Sequence, residues 1–150
     1  MRASFSGSVR RVGTLAASAL LLAVLASALP DTFLSAANLL NVSRQVSMLA
    51  VVAFAMTIVM ATGDFDLSVG SMASLSGVTA AVLFTQGHSI PVAIAAALGT
   101  GLLGGLLNGL MVGYAGILPF VATLGTLTIF SGTAFVVSDG KTVFGRAIPE

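Results

Sequence analysis

The sequence predicts an all-α fold, a polytopic membrane bundle of about five transmembrane helices, and three observations carry that prediction. Of 150 residues, 57% are hydrophobic and 7% are charged, where a soluble domain carries about 25% charged residues. Mean hydropathy is +1.08. The apolar residues also gather into five runs, 12–29, 46–62, 67–84, 91–112 and 118–137, each close to the roughly 17–25 residues that cross a bilayer. Six Lys or Arg and five Asp or Glu are too few to cover a water-facing surface of this size.

Each run has its own boundaries. The first follows Arg2, Arg10 and Arg11 and stops at Pro30-Asp31. Its Ala26-Ser27-Ala28 end also fits a signal peptide with an A-x-A cleavage site. The length of the run and the hydrophobic segments after it favour a retained helix. Residues 33–45 mix Phe33, Leu34, Leu39, Leu40 and Val42 with Asn38, Asn41, Arg44 and Gln45, which predicts an interfacial amphipathic stretch. The second run ends at Gly63-Asp64-Phe65-Asp66. The third is rich in small residues and ends at the polar turn 86–89. Pro91 opens the fourth in the first helical turn, where its missing N–H costs nothing.

The fourth run carries Gly101, Gly105, Gly109 and Gly113 at four-residue intervals. Residues four apart share a helix face, so the row predicts a helix-packing face where another backbone approaches closely. Pro119 opens the fifth run, and residues 138–141 end it. Three arginines ahead of the first span place the N-terminus in the cytoplasm. Arg44, Lys141 and Arg146 then fall outside, so the count ties and the first helix decides.

Composition removes several function classes. There is no cysteine, and the single His88 has no partner at a metal-ligand spacing, so no metal site is expected. No basic patch with interleaved aromatics points to nucleic acid. No GxxxxGK[ST] loop is present to cradle ATP phosphates. Asp64 and Asp66 are paired carboxylates, but nothing else supports glycoside chemistry, and His88 lies in a turn without a nucleophile motif. No catalytic residue and no cofactor are expected.

The polar groups within the apolar region are the candidate functional residues. Asp64 and Asp66 have no Lys or Arg within about fifteen residues, and a buried unpaired carboxylate usually marks function. Two readings of Asp66 stand: contact with a solute, or capping of the third helix through the N–H of Ser68 or Val69. Asn108, in the fourth run, either bonds a neighbouring helix or touches solute. Thr123, Thr126, Thr128 and Ser131 either return their hydroxyls to their own backbone carbonyls or soften a solvated pathway, and the sequence does not separate the two. Asp64, Asp66, Ser68 and Asn108 form the predicted substrate pathway.

Four segments resemble ribose-type sugar ABC transporter permeases. Gly63-Asp64-Phe65-Asp66-Leu67-Ser68-Val69-Gly70-Ser71 is similar to the family's G-x-[IF]-D-L-S-V-G-S. Phe33-Leu34 with Asn38-Leu39-Leu40-Asn41 is similar to F-L-x-x-x-N-L-x-N. Gly101, Gly105, Asn108 and Gly109 resemble G-x-x-x-G-x-x-N-G, and Pro119-Phe120-Val121-Ala122-Thr123-Leu124-Gly125-Thr126 resembles P-F-I-x-T-L-G-T. Tyr114-Ala115-Gly116-Ile117 departs from the family by lacking a basic residue.

The resemblance implies a permease subunit of an importer for a ribose-like or related monosaccharide, in the bacterial inner membrane. It implies as partners a second permease copy (homo- or heterodimer), cytoplasmic ATPase subunits and a periplasmic sugar-binding protein. It also implies that the chain is the N-terminal half of such a permease, a fragment without the ATPase-docking segment. The competing readings are a non-transporting membrane assembly subunit that packs through its glycine face, and a secondary transporter that uses Asp64 or Asp66 as an ion site.

Overall fold

The computed structural model describes residues 2–142, with side chains from residue 12 onward. Arg2, Arg10, Arg11 and Arg146, on which the predicted orientation leans, lie outside the described side chains. The described residues are all-α: α1 (Arg2–Ala28), α2 (Pro30–Phe33), α3 (Ala36–Ala61), α4 (Val69–Thr85), α5 (Ile90–Gly109), a π turn (Leu110–Tyr114) that continues α5, and α6 (Pro119–Val137). Among the described residues, three helical stretches are long and apolar enough to cross a membrane: Ala36–Ala61, Ile90–Tyr114 and Pro119–Val137. Val12–Ala28 and Val69–Thr85 are shorter apolar helices.

The chain divides into two compact units, residues 1–50 and 51–150. In the first, α1 gives way at Pro30 to the single turn of α2. Ser35 then starts α3: its Oγ accepts from the Asn38 N–H at 3.2 Å, the bond expected of an N-cap serine. Asn38 Nδ2 donates back to the Phe33 carbonyl at 2.8 Å, which locks the α2–α3 corner. The stretch 33–45 leads from Ala36 into the next span without a break. From Ala36 it belongs to a 26-residue helix, about 39 Å long at 1.5 Å per residue. No Gly or Pro interrupts it, and Asn38, Asn41, Arg44 and Gln45 change the polarity of a face without breaking the backbone ladder.

In the second unit α3 ends at a glycine with a reason to be one. Gly63 has φ of 90°, and its N–H donates to the Met60 carbonyl at 3.0 Å. That is a left-handed C′ position, which a Cβ would strain. The chain then passes through residues 64–68 into α4. Helix α4 packs against both α5 and α6, which make little contact with each other. Leu75, Phe130 and Ala134 form the buried centre, with Met72 and Val78 against it.

Ala93, Gly104 and Asn108 are the buried residues of helix α5. A Cβ on Gly104 would overlap the Met72 Cε methyl and crowd Phe130 Cζ at 3.2 Å. The four-residue glycine row does not hold one face within this chain. Of Gly101, Gly105, Gly109 and Gly113, only Gly101 has a neighbour in reach, where an added Cβ would lie 3.5 Å from Ser76 Oγ; a Cβ on the other three would meet nothing within 4 Å. The cause is helical drift. At 3.6 residues per turn, each four-residue step advances about 40°, so the row turns away from α4 after its first member. Spacings that mix three and four, as in 93, 97, 100, 104 and 108, hold one face.

Candidate functional site

The site begins with the turn between α3 and α4. Asp66 folds back on the chain after it: its Oδ1 accepts from the Ser68 N–H and from the Ser68 hydroxyl, both at 2.7 Å. The free amide ahead of α4 is thus satisfied by a carboxylate two residues upstream, and the Ser68 side chain makes no cap bond of its own. Ser71 Oγ donates to the Ser68 carbonyl at 2.8 Å and tightens the same turn. The dipole of α4 also favours a negative charge at this end.

Asn108 reaches this turn from α5. Its Nδ2 donates to Ser68 Oγ at 2.7 Å and, more weakly, to Asp66 Oδ2 at 3.4 Å. The directions of these bonds are self-consistent. Ser68 Oγ gives its one hydrogen to Asp66 and accepts from Asn108. Flipping the amide would set Asn108 Oδ1 against the carboxylate, so the carboxylate fixes its orientation. Ser68 is fully buried and Asn108 is 8% exposed. This leaves Asn108 Oδ1 buried without a hydrogen-bond partner, at a cost of about 1–3 kcal/mol for an unmet buried group.

Beside this network lies a cavity of about 340 Å³, within the roughly 300–1,000 Å³ range of small-molecule sites. Asp64, Asp66 and Asn108 line it together with Thr62, Pro119 and Thr123. Ile58, Val59, Phe65 and Val112 supply apolar wall, and Gly105 and Gly109 form the floor that lacks side chains. The structure therefore brings three of the four predicted pathway residues to one cavity. Ser68 stands behind it and joins two of them. Asp64 is half-buried, and none of the hydrogen bonds or ion pairs found among the described residues involves it.

The remaining motif residues divide by role. Thr123 and Thr126 are buried in α6 and donate to their own backbone, Thr123 Oγ1 to the Pro119 carbonyl at 2.7 Å and Thr126 Oγ1 to Ala122 and Thr123 at 3.3 Å. Thr128 does the same toward Leu124. Pro119 opens α6 and faces the cavity. Gly70, Phe120, Leu124 and Gly125 are exposed, while Leu67 and Val69 are half-buried. Sequence reasoning missed Thr62 and Val112 as cavity residues. Thr62 is the last hydroxyl before the Gly63 break, a usable signal; Val112 carries none, because its placement depends on the π turn after Gly109.

Comparison with known proteins places the chain in a family. Residues 38–147 match the family model described as "Branched-chain amino acid transport system / permease component". The chain belongs to this permease family. Among curated relatives it is 35% identical over 144 residues to the ribose import permease protein RbsC of Bacillus subtilis, covering 96% of this chain and 44% of that protein. It is 41% identical over 111 residues to the galactofuranose transporter permease protein YtfT of Escherichia coli, covering 74% and 32%. It is 38% identical over 126 residues to the autoinducer 2 import system permease protein LsrC of Escherichia coli O157:H7, covering 84% and 37%. The chain thus spans less than half the length of each of these relatives. No solved structure matches. The Asp66–Ser68–Asn108 network and the Pro119–Thr123 wall all fall within the residues that the permease model covers.

Proposed function

We propose that the chain is part of the membrane-spanning permease subunit of an ABC-type importer that carries a monosaccharide, ribose-like or related, across the bacterial inner membrane with its N-terminus in the cytoplasm. In this reading the subunit pairs with a second permease copy, receives sugar from a periplasmic binding protein and is driven by cytoplasmic ATPase subunits. The energy comes from those subunits, and the permease itself performs no covalent chemistry. One observation carries the reading at the level of the site: the family's most specific segments converge on one cavity of sugar-compatible size, with Asp64, Asp66 and Asn108 on its wall. Membership of the permease family supports the rest.

The test is sugar uptake by cells that hold the chain's own ATPase and binding-protein partners, with the chromosomal permease removed. ATP-dependent uptake that requires this chain, and that falls with Asp66→Asn, is the expected result. Two carboxylates on a cavity with no basic side chain also suit a secondary transporter with an ion site. Uptake that survives loss of the ATPase but collapses with the proton gradient would replace the first reading with that one.

A further inference from the structure

The polar groups on the cavity wall are matched to one kind of ligand. As carboxylates, Asp64 and Asp66 only accept hydrogen bonds. Thr62 Oγ1 gives its hydrogen to the Val59 carbonyl at 2.6 Å, and Thr123 Oγ1 gives its own to the Pro119 carbonyl at 2.7 Å. Both hydrogens of Asn108 Nδ2 are spent on Ser68 and Asp66. What remains of Asn108 is Oδ1, a buried acceptor without a partner. Every side-chain donor on the wall is thus committed to the protein, and the side chain left free, Asp64, is an acceptor. No Lys, Arg or His lines the cavity.

We propose that this cavity is a selective site for neutral polyhydroxylated solutes, which bind by donating hydroxyl hydrogens, and that it rejects anionic forms such as phosphorylated sugars. The inference rests on the reading of the cavity as part of a sugar route and adds the chemical filter. A hydroxyl supplies the donor that Asp64 lacks, and the remaining lone pairs of the Asp66 carboxylate accept another. A phosphate or carboxylate brings only further acceptors and a like charge, and like charges set together are unfavourable. Ile58, Val59 and Val112 offer apolar wall to the C–H faces of a sugar ring. A bare cation is less well served: no group of three or more metal-ligating His, Cys, Asp or Glu side chains occurs among the described residues.

The test is equilibrium binding to the full chain in lipid nanodiscs, with radiolabelled ribose, ribose phosphate and sodium as probes. Ribose is expected to bind and the phosphate ester to bind at least about tenfold more weakly, a like-charge effect. Asp64→Asn should narrow that gap. Asp64 makes none of the bonds that hold the turn, so the variant is expected to fold; should it not, the wild-type gap alone decides. Equal binding of the two sugars, binding of neither, or sodium binding that ribose does not displace would each overturn the proposal. The route is read separately. The chain has no cysteine, so Thr62→Cys in the assembled importer can be tested with a water-soluble maleimide during turnover. A selective cavity that the reagent never reaches would retain the filter and sink the route.

Discussion

Two neighbouring glycines on α5 do opposite work. Gly104 is buried against Met72 and Phe130, and its missing side chain lets α4 and α6 close on the helix. Gly105, one residue on, faces the cavity, and a Cβ there would meet nothing within 4 Å. The first glycine is small so that something else can fill its place; the second is small so that the place stays empty. The same residue type therefore marks packing on one face of α5 and vacancy on the other. Only the spatial partners, not the identity of the residue, distinguish them.

The largest effect that breaks this comparison is expected at Gly104. Gly104→Leu forces a branched side chain into Met72 and Phe130, and overpacking of this kind costs up to about 3 kcal/mol. Gly105→Leu is expected to cause no loss, as at a site without neighbours. Thermal unfolding of the two variants in the same detergent measures the difference. Equal loss in both would mean that the two faces are not distinct.

The next effect sharpens the polar end of the same helix. Ser68→Ala removes the hydroxyl that joins Asn108 to Asp66 and leaves the Asn108 amide with only its 3.4 Å contact. A buried group stripped of its partner costs about 2 kcal/mol. Asp64→Asn, which touches none of these bonds, is expected to change stability by less than about 0.5 kcal/mol. If both variants melt alike, the network contributes nothing to the fold, and its residues are held in place by packing alone.

These contrasts also show what the sequence makes legible. Scarcity of charge and long apolar runs are enough for an all-helical membrane chain, because in lipid only helices and closed barrels satisfy the backbone, and the strands of a barrel alternate apolar with polar residues rather than run apolar throughout. Asp66 and Asn108 stand out in the sequence one residue at a time, as polar groups within apolar runs. Their connection was not: 40 residues separate Asn108 from Ser68, and a hydrogen bond across that distance depends on how α4 meets α5. The glycine row does not reveal which of its members meet α4, because a four-residue period looks like a face over one turn and drifts off it over three. The α2–α3 corner was hidden for a different reason. Asn38 reads as interfacial polarity, and only the folded chain shows its amide on the Phe33 carbonyl.

A third variant carries the comparison from stability to transport. Gly109 lies on the cavity floor, and a Cβ there also meets open space. Gly109→Leu is expected to leave unfolding within about 0.5 kcal/mol while filling the cavity. Uptake by the assembled importer should then fall at least about tenfold, equivalent to about 1.4 kcal/mol. Unchanged uptake with an unchanged fold would remove this cavity from the route.

The smallest expected effect has the opposite sign. Gly105→Ala adds one methyl group to open space within a helix, where alanine is favoured over glycine by up to about 1 kcal/mol. If Gly105 serves only to keep the cavity open, one methyl leaves most of the volume free, so the variant should be slightly more stable and transport nearly as well as the parent. The informative outcome is a stabilised chain that no longer transports. That would mean a second helix, from another subunit, comes within van der Waals reach of Gly105 in the assembled importer. The open side of the glycine row would then be a packing face after all, for a neighbour outside this chain. A cross-linking yield between Gly113→Cys chains, raised in the parent background and lowered by Gly105→Ala, would separate that cause from simple loss of cavity volume.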